Sequence, residues 1–324
     1  MKKLLATLIA TMVVLPMAQT AQAQGDYPSR PIRITVPYTP GGPTDAVARV
    51  VGKGLSVELG QPVIVDNKPG ASATIGTAYV VNQPADGYNL VLVAAQFVTN
   101  TATGIQQPYE PLRDLAPVVN LTWMPILVAA NPKMPAKDLP SLIAWIRNQS
   151  QPVLYSSPGA GTLTQLWGEL LAQRYHLKLE HVPYKGSAGA AQAVMAGDVP
   201  LMFDVAGITT TMIREGKLTG IVTPGTERAP GLPNLPTARE SGVKDLDAAS
   251  FLGLMAPART PPEVIAKINA AANRVLKSKE VIDAVNGLGM NPAGGSAEDF
   301  GKMLSSEMQR WTAVAKTAGV KAEQ

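Results

Sequence analysis

Cysteine is absent from the 324 residues, which excludes disulfides, thiolate nucleophiles and cysteine-held metals and leaves stability to a packed core. Histidine occurs only at 176 and 181. That spacing would set the two side chains about 140° apart on a helix, so they cannot form a helical metal pair. His176 reads as a helix C-terminal residue and His181 as a strand residue, both structural. There is no Gly-x-Ser-x-Gly elbow, no phosphate-binding Gly-x-x-x-x-Gly-Lys loop and no Gly-x-Gly-x-x-Gly fingerprint, so nothing marks a nucleophile and no cofactor is expected. Basic residues number 28 against 24 acidic, without the Lys/Arg stripe a nucleic-acid binder needs.

Long apolar runs are also missing beyond the start of the chain. There, Met1-Lys2-Lys3 precedes an apolar run from Leu4 to Leu15 and a small-x-small site at Ala21-Gln22-Ala23, the three-part pattern of a cleaved export signal. About a dozen apolar residues fall short of the roughly 20 that span a bilayer, and no cysteine follows to take a lipid. The expected mature protein begins near Gln24 and is periplasmic. Removing residues 1–23 leaves 301 (324 minus 23), suited to two domains, and takes away Lys2 and Lys3, so 26 basic residues face 24 acidic ones. With 46% apolar residues, a large core is available, and the scattered Trp and Met read as core filler.

What is present is a recurring unit: a short β-branched run, a Gly/Pro/Ser/Thr turn, then apolar residues at helical spacing. Strands are predicted over 32–36, 61–65 and 89–94, with helices after the first two. The pattern restarts with strands over 126–130, 152–156, 180–183, 199–203 and 218–223, with helices between the first four, then a strand over 251–256 and three closing helices over 262–277, 280–288 and 297–318. Strand-helix alternation predicts a doubly wound α/β architecture with parallel sheets. Two lobes are expected, 24–125 with 250–324 and 126–249, joined by crossings near 123–131 and 248–257, with the C-terminal helices returning to the first lobe.

Ligands of open α/β sheets bind at the carboxyl ends of the strands. The most pointed loop is Tyr38-Thr39-Pro40-Gly41-Gly42-Pro43-Thr44-Asp45. Pro43 suits the first helical position with Gly42 as cap, leaving the Thr44 and Asp45 amides without helical acceptors and favouring an anion. A second loop, Gly159-Ala160-Gly161-Thr162-Leu163-Thr164, offers Thr162 as a cap. Further candidates lie in Tyr184-Lys185-Gly186-Ser187 and at Asp204. Two such loops facing each other across two lobes would form a carboxylate clamp. Asp45 admits two roles, favouring the helix N-terminus through the macrodipole or accepting from a ligand; the first is preferred for its charge. Asp204, at a strand end, is the likelier ligand-facing acid. The candidate contacts of the first lobe are Tyr38, Thr39, Gly41, Gly42, Thr44 and Asp45, with Gln96 beyond the third strand. Those of the second lobe are Ser157, Gly161, Thr162, Thr164 and Asp204.

Tyr27-Pro28-Ser29-Arg30-Pro31-Ile32-Arg33, then Val36-Pro37-Tyr38-x-Pro40-Gly41-Gly42-x-Thr44-Asp45, resembles the opening of the Bug family of periplasmic solute-binding proteins, the binding components of tripartite tricarboxylate transporters. The resemblance continues through Leu59-Gly60-Gln61-Pro62-Val63, Asn67-Lys68-Pro69-Gly70-Ala71, Ala85-Asp86-Gly87-Tyr88 and Val182-Pro183-Tyr184-Lys185-Gly186. Met202-Phe203-Asp204 and Gly253-Leu254-x-Ala256-Pro257 complete it. It implies a type II two-lobe fold closing over a small organic acid without catalysis, the ligand carboxylate resting on Pro40 to Asp45 and the opposite lobe supplying Ser156 to Thr164. Departures from the family pattern are Ser156-Ser157-Pro158-Gly159 for Gly-Ser-Ser-Gly, Gln165 for a frequent His, and Val205 for an Asn, which implies a less polar distal pocket. The implied partners are a small organic acid (dicarboxylate, amino acid or aromatic carboxylate) and a membrane permease or sensor, with the protein itself monomeric. The alternatives are an exported hydrolase or lyase acting on a small carboxylate, for which only Asp45, Asp204 and Lys185 are placed, and a purely structural protein.

Overall fold

The computed structural model describes residues 27–321, so the export signal expected over residues 1–23 lies outside the described residues. β1 (Ile32–Val36) buries every position but Arg33 and leads through the first glycine loop into α1 (Pro43–Leu59). Gly42 caps α1, Pro43 occupies its first turn, Val47, Ala48, Val51 and Leu55 form its buried stripe, and Gly60 ends it in the left-handed conformation at φ 67°. β2 (Val63–Asn67), α2 (Thr74–Val81) and β3 (Asn89–Ala94) follow. Two short helices not foreseen from periodicity come next, α3 (Gln96–Thr103) and α4 (Pro111–Asp114).

β4 (Leu115–Ala130) spans sixteen residues, of which the sequence pattern reveals only the last five. Pro117 and Pro125 mask the rest, and register shifts at Pro117/Val119 and Asn120/Thr122 accommodate the irregular pairing. The second run of units is α5 (Leu139–Arg147), β5 (Val153–Ser157), α6 (Leu163–Tyr175), β6 (Leu179–Pro183), α7 (Ser187–Ala196), β7 (Leu201–Val205), the unforeseen α8 (Ile208–Arg214) and β8 (Thr219–Val222). β9 (Ala249–Pro257), α9 (Pro262–Val275), α10 (Lys279–Gly287), the two-residue β10 (Asn291–Pro292) and α11 (Ala297–Ala318) close the chain.

The strand order is β2-β1-β3-β9-β4-β7-β5-β6, with β8 and β10 also pairing β4. This corrects two expectations. The sheet is mixed rather than parallel, because β9 runs antiparallel to both β3 and β4, and β4 antiparallel to β7. Nor are there two separate sheets: β4 is long enough to pair β9 over Leu115 to Pro125 and β7 over Ile126 to Ala130, joining both halves. The parallel flanks, β2-β1-β3 and β6-β5-β7, each send their carboxyl ends and loops to one edge.

Helices cover both faces. α9 lies against α1 so closely that a Cβ on Gly54 would meet Val275 Cγ1 at 2.6 Å. α11 packs on α3 and β4 and also reaches α6, where Gln173 Nε2 donates to the Val314 carbonyl. Under α6, the buried rings of Tyr155 and Phe203 stack with Trp167 edge-on to Phe203, and Trp167 Nε1 donates to the Leu246 carbonyl, satisfying the one polar atom of that buried indole.

Candidate functional site

The loop after β1 is shaped by Asp45. Gly41 takes φ +84°, which favours glycine, and Gly42 is extended. The first helical bond runs from Ala46 N–H to the Gly42 carbonyl, so the Thr44 and Asp45 amides precede it and point out of the helix start. Asp45 is only 4% exposed. Its Oδ2 accepts from Gly41 N–H (3.0 Å) and Arg49 Nε (2.9 Å), and its Oδ1 accepts from Asn67 Nδ2 (2.9 Å). Asn67, opposite Val36 at the end of β2, also donates to the Tyr38 carbonyl and accepts from Arg49 Nη2. The Arg49 guanidinium, ahead of the Gly41 and Asn67 bonds, holds the carboxyl down at about 2.

Both oxygens of Asp45 are thus committed to the protein. The acid braces the loop, and the Gly41 N–H is engaged by it. Thr39 and Gly41 are exposed, while Gly42 and Thr44 are half-buried beside them. Tyr38 leans from the loop toward the end of β3, where its hydroxyl shares a hydrogen bond with the Ala94 backbone; burial, then the neighbouring Tyr109, raises its pKa far above the ordinary tyrosine value, so it stays neutral. Gln96 opens α3 and donates to Asn100 Oδ1 (2.6 Å), and buried Asn100 donates to the Ser72 carbonyl (2.8 Å). That carbonyl belongs to a turn in which Ala71, Ser72 and Ala73 all have positive φ (44°, 52° and 70°), a strained run of non-glycine residues held by its surroundings.

The second loop begins at Ser157, which is fully buried. Its Oγ contacts His181 Nε2 (2.6 Å), the Gly159 carbonyl (3.0 Å) and Gly159 N–H (3.2 Å). Gly161 N–H donates to Gln165 Oε1 (2.7 Å), so the Gln165 side chain folds back to hold the loop. Thr162 caps α6 as expected, accepting from Gln165 N–H; its Oγ1 also donates to the Gly159 carbonyl and contacts Thr164 Oγ1 (3.0 Å). Tyr184 N–H and Gly186 N–H donate to the carbonyls of Ser157 and Pro158, tying the third loop to the second.

Asp204 lies one residue before the end of β7, deep in the second half. Its side chain is 0% exposed, Oδ1 accepting from Ser187 Oγ (2.9 Å) and Oδ2 from Thr209 Oγ1 (2.6 Å). Burial raises its pKa against the pull of those bonds. The acid fastens β7 to α7 and α8. His181 lies in β6 as a structural strand residue, where it tethers Ser157, and burial lowers its pKa to about 4. Parallel pairing sets His181 opposite Tyr155, two residues before Ser157 on the same strand face. Each loop set is internally bonded, and among the described residues no hydrogen bond or ion pair joins one set to the other. Among the described residues no group of three or more His, Cys, Asp or Glu could hold a metal, and no helix is long and apolar enough to cross a membrane.

Donor-rich loops at the carboxyl edges of two half-sheets joined through one long strand define a two-lobe binding-protein fold of the periplasmic type. The same architecture occurs in periplasmic binding protein BugD (30% identity, TM-score 0.72, covering 92% of this chain and 100% of that one). It recurs in an R. palustris protein solved with adipate (31%, 0.76, 91% and 99%) and in MatC from Rhodopseudomonas palustris with bound malate (30%, 0.71, 89% and 99%). Residues 47–320 match the family described as "Tripartite tricarboxylate transporter family receptor", and the chain belongs to it.

Proposed function

We propose that this protein captures a small organic carboxylate, of the dicarboxylate class carried by the relatives solved with adipate and malate, in the periplasm between lobes 24–125 with 250–324 and 126–249, and hands it to a membrane permease. The observation that carries the reading is the braced helix start: Asp45, Arg49 and Asn67 fix the Gly41-Gly42-Pro43 turn so that amide donors of α1 face outward for an anion. Gly42, Thr39 and Thr44 on one side and the Pro158 to Thr164 turn on the other are the proposed contacts, with Asp45 and Asp204 acting through the backbone they hold. A ligand touching both lobes binds the closed form more tightly and shifts the hinge toward it. The protein binds without turnover and is exported by cleavage near Ala23.

One observation favours a hydrolase, the Ser157–His181 contact. Against it, Ser157 is fully buried and its hydroxyl is engaged by the backbone of its own loop. The test is a thermal-shift panel of mono-, di-, tricarboxylic and aromatic acids on residues 24–324, unfolded and refolded to strip bound ligand. A ligand at 100 times its Kd should add about 2.7 kcal/mol. Gly42→Val should abolish that shift and keep the fold, because Gly42 has ordinary φ and the nearest atom to its added Cβ is the Thr39 carbonyl oxygen at 3.8 Å. No shift with any acid would refute the proposal, and ligand turnover lost in Ser157→Ala would favour the hydrolase.

A further inference from the structure

Apolar side chains stay partly open at the strand ends that carry the two sets of loops. Tyr38 follows β1, Ala94 ends β3 and Val205 ends β7, and each is half-buried. Tyr38 and Ala94 pack on the core built around β1, α1 and α9. Val205 packs on that core and also on the one that holds the buried face of α6, which sets it where the two half-sheets meet. Side chains two apart on a strand share a face, and Phe203 lies under α6 with Tyr155 and Trp167. Val205 is therefore turned to the α6 side, where the Pro158 to Thr164 turn begins that helix. Gly207 follows at φ +137°, and Ile208 opens α8 with 41% of its surface exposed. Valine and isoleucine side chains carry no hydrogen-bonding atom, and the Tyr38 hydroxyl is taken by the Ala94 backbone.

The polar groups at the same strand ends are one-sided. Asp45 and Asp204 have both carboxylate oxygens hydrogen-bonded within the protein. Asp66, on β2, pairs with Arg33 and Lys68 at 3.3 Å each. Lys185, in the turn after β6, is exposed with no ion-pair partner among the described residues. Backbone donors add to it. Thr44 and Asp45 N–H precede the first bond of α1, and Leu163 and Thr164 N–H precede those of α6, which run from Gln165 N–H to Thr162 Oγ1 and from Leu166 N–H to the Thr162 carbonyl. A ligand with an anionic group at each end meets donors at both loops, while its middle lies on hydrocarbon. An ammonium on that middle would lose water with no unpaired acid among these three to receive it.

We infer that the ligand is a dicarboxylate with an unsubstituted hydrocarbon body, and that Val205 selects it over the amino acid of the same length; this rests on the carboxylate-binding reading above. Calorimetric titration of residues 24–324, refolded free of ligand, compares succinate with aspartate, glutarate with glutamate, and adipate with 2-aminoadipate, each pair differing by one ammonium. The tightest dicarboxylate should bind about tenfold or more tightly than its amino partner. Val205→Asn, which sets an amide oxygen at that place, should narrow the ratio to about threefold or less, whereas Val205→Ala, which adds no acceptor, should leave it unchanged. An amino acid that binds as tightly as its partner dicarboxylate overturns the inference and leaves the carboxylate site standing. No binding of any carboxylate overturns both. A ratio unchanged in a folded Val205→Asn protein overturns the role of Val205; should that variant fail to fold, the ratio in the unaltered protein and in Val205→Ala decides.

Discussion

Replacing Asp45 with Asn tests the brace beneath the proposed carboxylate loop. The carboxyl is held at about 2 against an ordinary 3.8, and at 1.36 kcal/mol per unit that difference is worth about 2 kcal/mol of folding stability. Arg49, the largest cause, is 53% exposed on its side chain, so solvent screening reduces the expected loss to about 1–2 kcal/mol. Because the folded pKa lies below the unfolded one, this stability is fully present above about pH 4 and disappears as pH falls through 2. The variant's amide oxygen can keep the position that accepts from both Gly41 N–H and Arg49 Nε, and its NH₂ then meets the Asn67 Nδ2 donor; turned the other way, it loses the Gly41 and Arg49 bonds together. Urea unfolding of both proteins from pH 7 to pH 2 should therefore show a gap of about 1–2 kcal/mol at neutral pH that shrinks to a few tenths near pH 2. A gap below about 0.5 kcal/mol at pH 7, the size of an ordinary surface change, or one that persists undiminished at pH 2, would refute the brace.

His181 makes a separable contribution: the unfolded chain takes its proton below about 6.5 and the folded one only near 4, so stability should fall across that window. His181→Asn should flatten the urea-derived stability between pH 6.5 and 4, and an unchanged slope would exclude the buried neutral ring. Gly41→Ala should cost about 1 kcal/mol from its φ of +84° alone, since nothing lies within 4 Å of the added Cβ; a neutral result in chemical denaturation would contradict that turn. Gly253→Ala drives a Cβ to 2.2 Å from the Phe300 ring and should lower stability by about 1–3 kcal/mol, read as a fall in Tm.

The local elements were legible because each carries its own signal. β1 and α11 fall where alternation and helical spacing place them, and Gly42, Pro43 and Gly60 start and stop α1 as backbone sterics require. β4 was half hidden because its prolines break the pattern that reveals a strand, while its pairing with β9 rescues it in three dimensions. The loops that carry the proposed site were likewise visible as glycine-rich turns at strand ends. The occupancy of their donors was not: whether Gly41 N–H faces Asp45, or Gly161 N–H faces Gln165, depends on side-chain rotamers packed in the fold.

Sequence by itself therefore determined the strand-helix alternation, the absence of thiol chemistry and the position of the anion-favouring helix start, since each follows from residue type and short-range geometry. Only the tertiary structure decided that Asp45 and Asp204 are spent on the protein, that His181 reaches Ser157 across neighbouring strands, and that Asn120 is buried without a donor. Those facts rest on contacts between residues distant in the chain, where burial and the competition for hydrogen-bond partners are settled by packing and leave no mark in local sequence.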